Sequence, residues 1–133
     1  MKTVDILFEK AQAIIKNSYS PYSNFRVACA IELNDGNIIT GVNVENASYG
    51  LANCAERTAI FTAIASGYKK GDIVKLLVLT DKSYYVSPCG ACRQVIQELV
   101  HDDADIILAT ANKEYKMLKK SDLLPYSFTE SDL

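Results

Sequence analysis

Ile73-Val74-Lys75-Leu76-Leu77-Val78-Leu79-Thr80 is an almost unbroken apolar run with one charge inside it. It is too short for a typical helix, and a strand of this kind has both of its faces covered. It therefore belongs in the interior of a sheet with helices above and below. The flanking segments supply them. Before the run, Asn53 can cap a helix reaching to about Ser66, with Gly67 as its stop. Its Ala55, Ala59, Ala63 and Ala65, with Ile60, Phe61 and Ile64, suit close packing on a sheet. After the run, Ser87 can cap a further helix with Pro88 at its first position, where a missing N–H costs nothing. That helix directs Val95, Ile96, Leu99 and Val100 inward.

Further out, residues 3–17 repeat Val4, Leu7, Phe8, Ala11, Ile14 and Ile15 at helical spacing. Turn formers from Asn17 to Asn24 end that helix. Phe25, Val27, Cys29, Ile31 and Leu33 alternate with Arg26 and Glu32, which predicts a half-buried strand. Asn34-Asp35-Gly36-Asn37 predicts a hairpin turn into a second strand from Ile38 to about Val44. Asn46 to Leu51 reads as a loop. Beyond the third helix, Asp105 to Ala111 and Tyr115 to Leu118 predict two more strands, and Ser121 to Leu124 one helical turn before Pro125. The order α-β-β-α-β-α-β-β-α predicts an α/β fold, a three-layer α/β/α sandwich on a mixed five-stranded sheet, as one domain over residues 1–133.

Composition narrows the partners. The chain has 133 residues, 49% of them apolar, and a formal net charge of −2. Nucleic-acid and anionic-membrane binding need clustered Lys and Arg, so neither is expected. Met1-Lys2-Thr3-Val4-Asp5 opens amphipathically rather than as an apolar signal segment, and no apolar run approaches the roughly 20 residues of a membrane span. A cytoplasmic location is expected. There, Cys29, Cys54, Cys89 and Cys92 are better suited to metal binding or reaction than to disulfides.

Cys54 follows directly on a helix cap, and Cys89 and Cys92 share one helix face three residues apart. Helix N-termini favour thiolates. The three cysteines are read as ligands of one zinc ion, and three ligands rather than four leave a position open for chemistry. Glu56, two residues after Cys54, is the acid/base beside that position. Three thiolates on a divalent ion carry excess negative charge. Arg57 and Arg93 are spaced to reach back toward Cys54 and Cys89 and offset it. Two other uses of the cysteines stand beside this one. A redox C-x-x-C is one, although here the motif comes after three strands rather than one. A closed four-cysteine site is the other, although Cys29 lies on the apolar face of a strand, where a buried thiol is usual. His101, followed by two aspartates, reads as a surface residue.

Cys54-Ala55-Glu56 and Pro88-Cys89-Gly90-Ala91-Cys92 match the three-cysteine variant of the zinc-deaminase pattern. Together with Tyr19-Ser20-Pro21-Tyr22-Ser23, Phe25-Arg26-Val27, Gly41 through Leu51, Arg57 and Ser87 through Gln94, the sequence closely resembles the cytidine deaminases, in their short homotetrameric class. The resemblance spans nearly the whole chain. It implies zinc-dependent hydrolysis of cytidine and 2′-deoxycytidine to the uridines with release of ammonia, in pyrimidine salvage, with Glu56 moving the protons. It further implies that Asn43 and Glu45, with Val44 between them, hold the sugar, that Phe25 packs near the base, and that the backbone at Ala55 reads the base edge. Ala47, Tyr49 and Phe128 would complete the site of a neighbouring subunit. Asn43 and Glu45 share one strand face, in keeping with a joint role. Deamination of another aminopyrimidine nucleoside, or a non-enzymatic zinc-stabilised module, remain as alternatives.

Overall fold

The computed structural model describes residues 2–133, apart from the side chain of Lys2; Met1, the first residue of the expected domain, lies outside them. Helix α1 (Lys2–Ile14) continues into a 3-10 turn at Ile15–Asn17. Strands β1 (Val27–Leu33) and β2 (Ile38–Val42) form a hairpin closed by Gly36 at a φ of 89°. Helix α2 (Ala55–Ala65), strand β3 (Ile73–Thr80), helix α3 (Gly90–Leu99) and strand β4 (Val100–Ala109) follow. Strand β5 (Tyr115–Leu118) and a single turn, α4 (Lys120–Leu123), come last before the tail.

The five strands lie in the order β2-β1-β3-β4-β5. β3 and β4 are parallel and every other pair is antiparallel, so the sheet is mixed. The parallel pair needs a crossover, which α3 provides. β3 occupies the centre, as its apolar run predicts. Side-chain alternation then sorts the core into two layers. Ala28, Ala30, Leu77, Leu79, Ile107 and Ala109 meet Val4, Leu7, Phe8 and Ala11 of α1. Cys29, Ile31, Leu33, Leu76, Val78, Ile106 and Leu108 meet Ala55, Ala59, Ile60 and Ala63 of α2 and Ile96 of α3.

Four local expectations are corrected. β1 is covered on both faces rather than one, because Ala28 and Ala30 are fully buried beneath α1. Small side chains there leave no apolar signal on that face. The cap of α2 is Cys54, not Asn53, whose side chain donates to Thr58 Oγ1 at 3.1 Å. The cap of α3 is Cys89, not Ser87, so both helices begin one to two residues later than the polar residues suggest. β4 begins at Val100, where the third helix was expected to continue. Val100 pairs with Ile73, and a shift in register then brings Asp105 opposite Lys75. Among the described residues no helix is long and apolar enough to cross a membrane.

Gly41 sets the height of α2 over the sheet. A Cβ there would lie 2.6 Å from Ala59 N and 2.8 Å from Ala55 O. Both are backbone atoms, so no side-chain rotation relieves the clash. Gly41→Ala is therefore expected to lift the start of α2 and to destabilise the fold by about 1–3 kcal/mol. Denaturant unfolding checks this, and a midpoint equal to the wild type's would show that α2 is free to shift.

Candidate active site and metal centre

Two helix starts converge over the sheet. Cys54 and Cys89 are the caps of α2 and α3, both with extended backbone, and Cys92 lies in the first turn of α3. The three Sγ atoms all lie within 4.8 Å of one another, and Cys54 Sγ is 3.5 Å from Cys89 Sγ. Sulfurs at the corners of a zinc tetrahedron stand about 3.8 Å apart for a Zn–S bond of about 2.3 Å. The donor set and its spacing thus fit zinc. All four cysteines are free thiols, and Cys29 is buried in the core, outside this cluster.

The surroundings favour the thiolate. Arg57 Nη2 donates to Cys54 Sγ at 3.5 Å, and the Cys92 amide donates to Cys89 Sγ at 3.5 Å. A hydrogen bond from the Cys92 thiol, followed by the contribution of Arg57, pulls the Cys54 thiol down to about 5. Cys92 is pushed up, first by that same bond to Cys54 and then by burial. Without metal, the Cys54–Cys92 pair therefore retains a shared proton, and a divalent cation must displace it.

Glu56, in the first turn of α2, is only 4% exposed. Burial pushes its carboxyl up to about 7, and the charge on Cys54 adds to the rise. Glu56 lines a cleft of about 150 Å³ with Cys54, Cys89, Ala55 and Asn43. Val27, Val78, Val86 and Ser87 complete the wall. The sequence reading assigns these four no part in the site. Strand alternation puts Val27 and Val78 on the α2 side, so their place was readable. Val86 lies in a loop and carries no periodic signal. A larger recess of about 330 Å³ lies among Tyr22, Ser23, Glu45, Asn46, Tyr49 and Ala52. It holds no cysteine and no part of Glu56, so the smaller cleft is the one equipped for chemistry.

The remaining candidates divide. Asn43 reaches the cleft, but most of its amide is already engaged. Its Oδ1 accepts from Val27 N at 2.9 Å and from the Ser18 hydroxyl, and its Nδ2 donates to Phe25 O at 2.8 Å. One N–H remains free for a ligand. Glu45 accepts from Tyr22 N at 3.0 Å, from Ser23 N at 3.2 Å and from the Ser23 hydroxyl. The hydroxyl bond is the main reason its carboxyl is held below the usual range. Both backbone polar groups of Val44 pair with Asn53, at 3.0 and 2.9 Å. Phe25 is half-buried with Lys82 Nζ 5.8 Å from its ring centroid, and the cleft wall is formed by Val27 instead. Ala47, Tyr49 and Phe128 are exposed and line no part of the cleft. Arg93 departs from expectation. It donates to Pro88 O at 2.8 Å, to Leu123 O at 2.6 Å and to the Ser87 hydroxyl, all oxygens rather than sulfur. His101 is exposed at the start of β4, and its Nδ1 accepts from Asp103 N at 3.0 Å.

A three-layer α/β protein with three converging thiols beside a buried glutamate defines a zinc-site enzyme class. Residues 1–114 match the family described as "Cytidine and deoxycytidylate deaminase zinc-binding region". A cytidine deaminase of Halalkalibacterium halodurans is 43% identical over 128 residues, covering 96% of each chain. The crystal structure of a cytidine deaminase from Burkholderia pseudomallei superposes with a TM-score of 0.89 at 44% identity, covering 93% of this chain and 98% of that one. That of Mycobacterium tuberculosis gives 0.78 at 32% identity, covering 93% and 95%. The chain belongs to the cytidine and deoxycytidylate deaminase family, in its short zinc class with a three-cysteine site.

Glu56 gives the zinc-free protein a pH signature. Folded, it keeps its proton to about pH 7, whereas the ordinary carboxyl value is 4.5. Between those values the folded state binds more protons than the unfolded chain, so this group's contribution to stability falls as pH rises. Glu56→Gln stays neutral throughout. The stability of the zinc-free wild type relative to Glu56→Gln is therefore expected to drop by about 3 kcal/mol from pH 4.5 to above 7. Thermal or denaturant unfolding at several pH values measures it, and a flat difference would contradict a buried, proton-holding Glu56.

Proposed function

We propose that this protein is a zinc-dependent cytidine deaminase that hydrolyses cytidine and 2′-deoxycytidine to the uridines, releasing ammonia. The observation that carries the reading is the placement of Glu56 in one cleft with the thiols of Cys54 and Cys89 and the amide of Asn43. Cys54, Cys89 and Cys92 would hold one zinc ion, which would acidify a water enough to supply hydroxide near neutral pH. Glu56 accepts a proton from the water and gives it to N3 of cytosine, which makes C4 electrophilic. The hydroxide oxygen then bonds to C4, and Glu56 takes the proton still on that oxygen and delivers it to the amino nitrogen. As the C4–N4 bond breaks ammonia leaves, with the first proton kept on N3 and the water oxygen remaining as O4 of uridine. One carboxyl serves in both directions because it stands within reach of the water, N3 and the amino group. Arg57 offsets the charge at Cys54.

On the sugar side, the free N–H of Asn43 donates to a hydroxyl and the ionised Glu45 accepts from one. The first-turn amide at Ala55 reads the base edge, since helix N-terminal amides lack intrahelical partners. Val44 and Phe25 flank the nucleoside. The whole chain acts as one catalytic domain in the cytoplasm. In a zinc-loaded protein, turnover is followed as the fall in ultraviolet absorbance when cytidine becomes uridine. Chelator is expected to abolish it, and Glu56→Gln to lower it by several orders of magnitude with zinc retained. Near-normal turnover in that variant would remove Glu56 from the mechanism.

Assembly completes the site in this reading. Tyr49 is 77% exposed and Phe128 58%, and Leu51, Phe61 and Ile64 are also exposed apolar residues. A homotetramer would cover exposed apolar side chains of this kind and bring Ala47, Tyr49 and Phe128 to a neighbour's cleft. Sedimentation alongside assays at falling concentration is expected to show activity lost as the tetramer dissociates, whereas a fully active monomer would overturn the shared site.

A further inference from the structure

Arg93 directly follows Cys92, yet its guanidinium joins two separate parts of the chain through three acceptors. Nε donates to Pro88 O at 2.8 Å, Nη1 to Leu123 O at 2.6 Å, and Nη2 to the Ser87 hydroxyl. Two of these groups belong to the turn that leads into Cys89. The third belongs to α4, near the end of the chain. α4 is itself firmly seated. Leu123 is 3% exposed within the core that includes Ile96 of α3. The buried Lys120 donates to Val100 O at 2.8 Å and to Asp102 Oδ1 at 2.9 Å, which pins α4 to the start of β4. The next residue along, Gln94, donates to Phe128 O at 2.9 Å, so two consecutive residues of α3 fasten the carboxy-terminal segment.

We propose that Arg93 is a positioning residue that ties the Ser87-Pro88-Cys89 turn to α4 and so holds the Cys89 thiol where the metal meets it. The role rests on Cys54, Cys89 and Cys92 holding zinc, as proposed above. It depends on the fork rather than the charge. The guanidinium presents donors in fixed planar directions, whereas a lysine ammonium is a point charge on a flexible stem and cannot hold three separated acceptors at once. The exposed Cys89 is the ligand with most need of such support, because Cys92 is buried in the first turn of α3 and Cys54 is contacted by Arg57.

The test compares wild type, Arg93→Ala and Arg93→Lys, each loaded with zinc or with cobalt and studied below its melting temperature. Zinc release to a chromogenic chelator and the thiolate-to-cobalt absorption band are the readouts. The wild type is read first: a chain that takes up no zinc sinks the metal reading itself and leaves nothing for Arg93 to position. With zinc bound, Arg93→Ala is expected to release it at least about 10-fold faster, the scale of a lost outer contact to a ligand, and to shift or broaden the cobalt band. Arg93→Lys is expected to behave as Arg93→Ala does. Wild-type release and spectrum in Arg93→Lys would show that charge alone suffices and overturn the clasp, as would a wild-type-like Arg93→Ala. Should Arg93→Ala not fold, Arg93→Lys decides by itself, since faster release supports the clasp and unchanged release overturns it.

Discussion

Two thiols 35 residues apart in sequence, Cys54 and Cys89, must meet at 3.5 Å, and much of the architecture follows from that constraint. Each is a helix cap, so the two helices have to start at the same place above the sheet. The parallel pairing of β3 with β4 fixes α3, because only a crossover can join them. The bare backbone of Gly41 fixes α2, whose own backbone it meets without an intervening side chain. Layers of small and branched residues on both faces of β3 then hold sheet and helices as one body.

The same arrangement creates an electrostatic problem. Glu56 is buried and lies near the charge on Cys54, where an ionised carboxylate is costly. In the zinc-free protein its proton affinity therefore rises toward neutrality, which weakens the fold above the ordinary titration range of a carboxyl. Arg57 relieves the charge at Cys54 directly. Arg93, equally close in sequence, contributes nothing to the sulfurs by contact and spends its donors on carbonyl and hydroxyl oxygens. Two arginines at similar spacing thus serve different ends, one electrostatic and one mechanical.

The two residues proposed to hold the sugar are also tied into the fold. Asn43, just beyond β2, is tied to Ser18, Phe25 and Val27 through three side-chain hydrogen bonds and has one donor left. Glu45 is held by the Tyr22-Ser23 turn, with both carboxylate oxygens already accepting. Groups already fixed in this way lose little entropy when a ligand arrives.

Periodicity in the sequence determined the number, type and order of the elements, and the central place of β3, because alternation and helical spacing are local consequences of burying one face or two. The motif spacing likewise determined which thiols and which glutamate belong together. Tertiary structure decided what local pattern does not encode. It placed the helix caps at Cys54 and Cys89 instead of Asn53 and Ser87, and it began β4 at Val100 by pairing with Ile73. It buried the second face of β1 behind alanines, which give no apolar period. It sent Arg93 to α4, since i to i+4 spacing brings a side chain near a turn but does not choose its partner. A residue 30 positions away supplies one of its acceptors, and only the folded chain brings that carbonyl within reach.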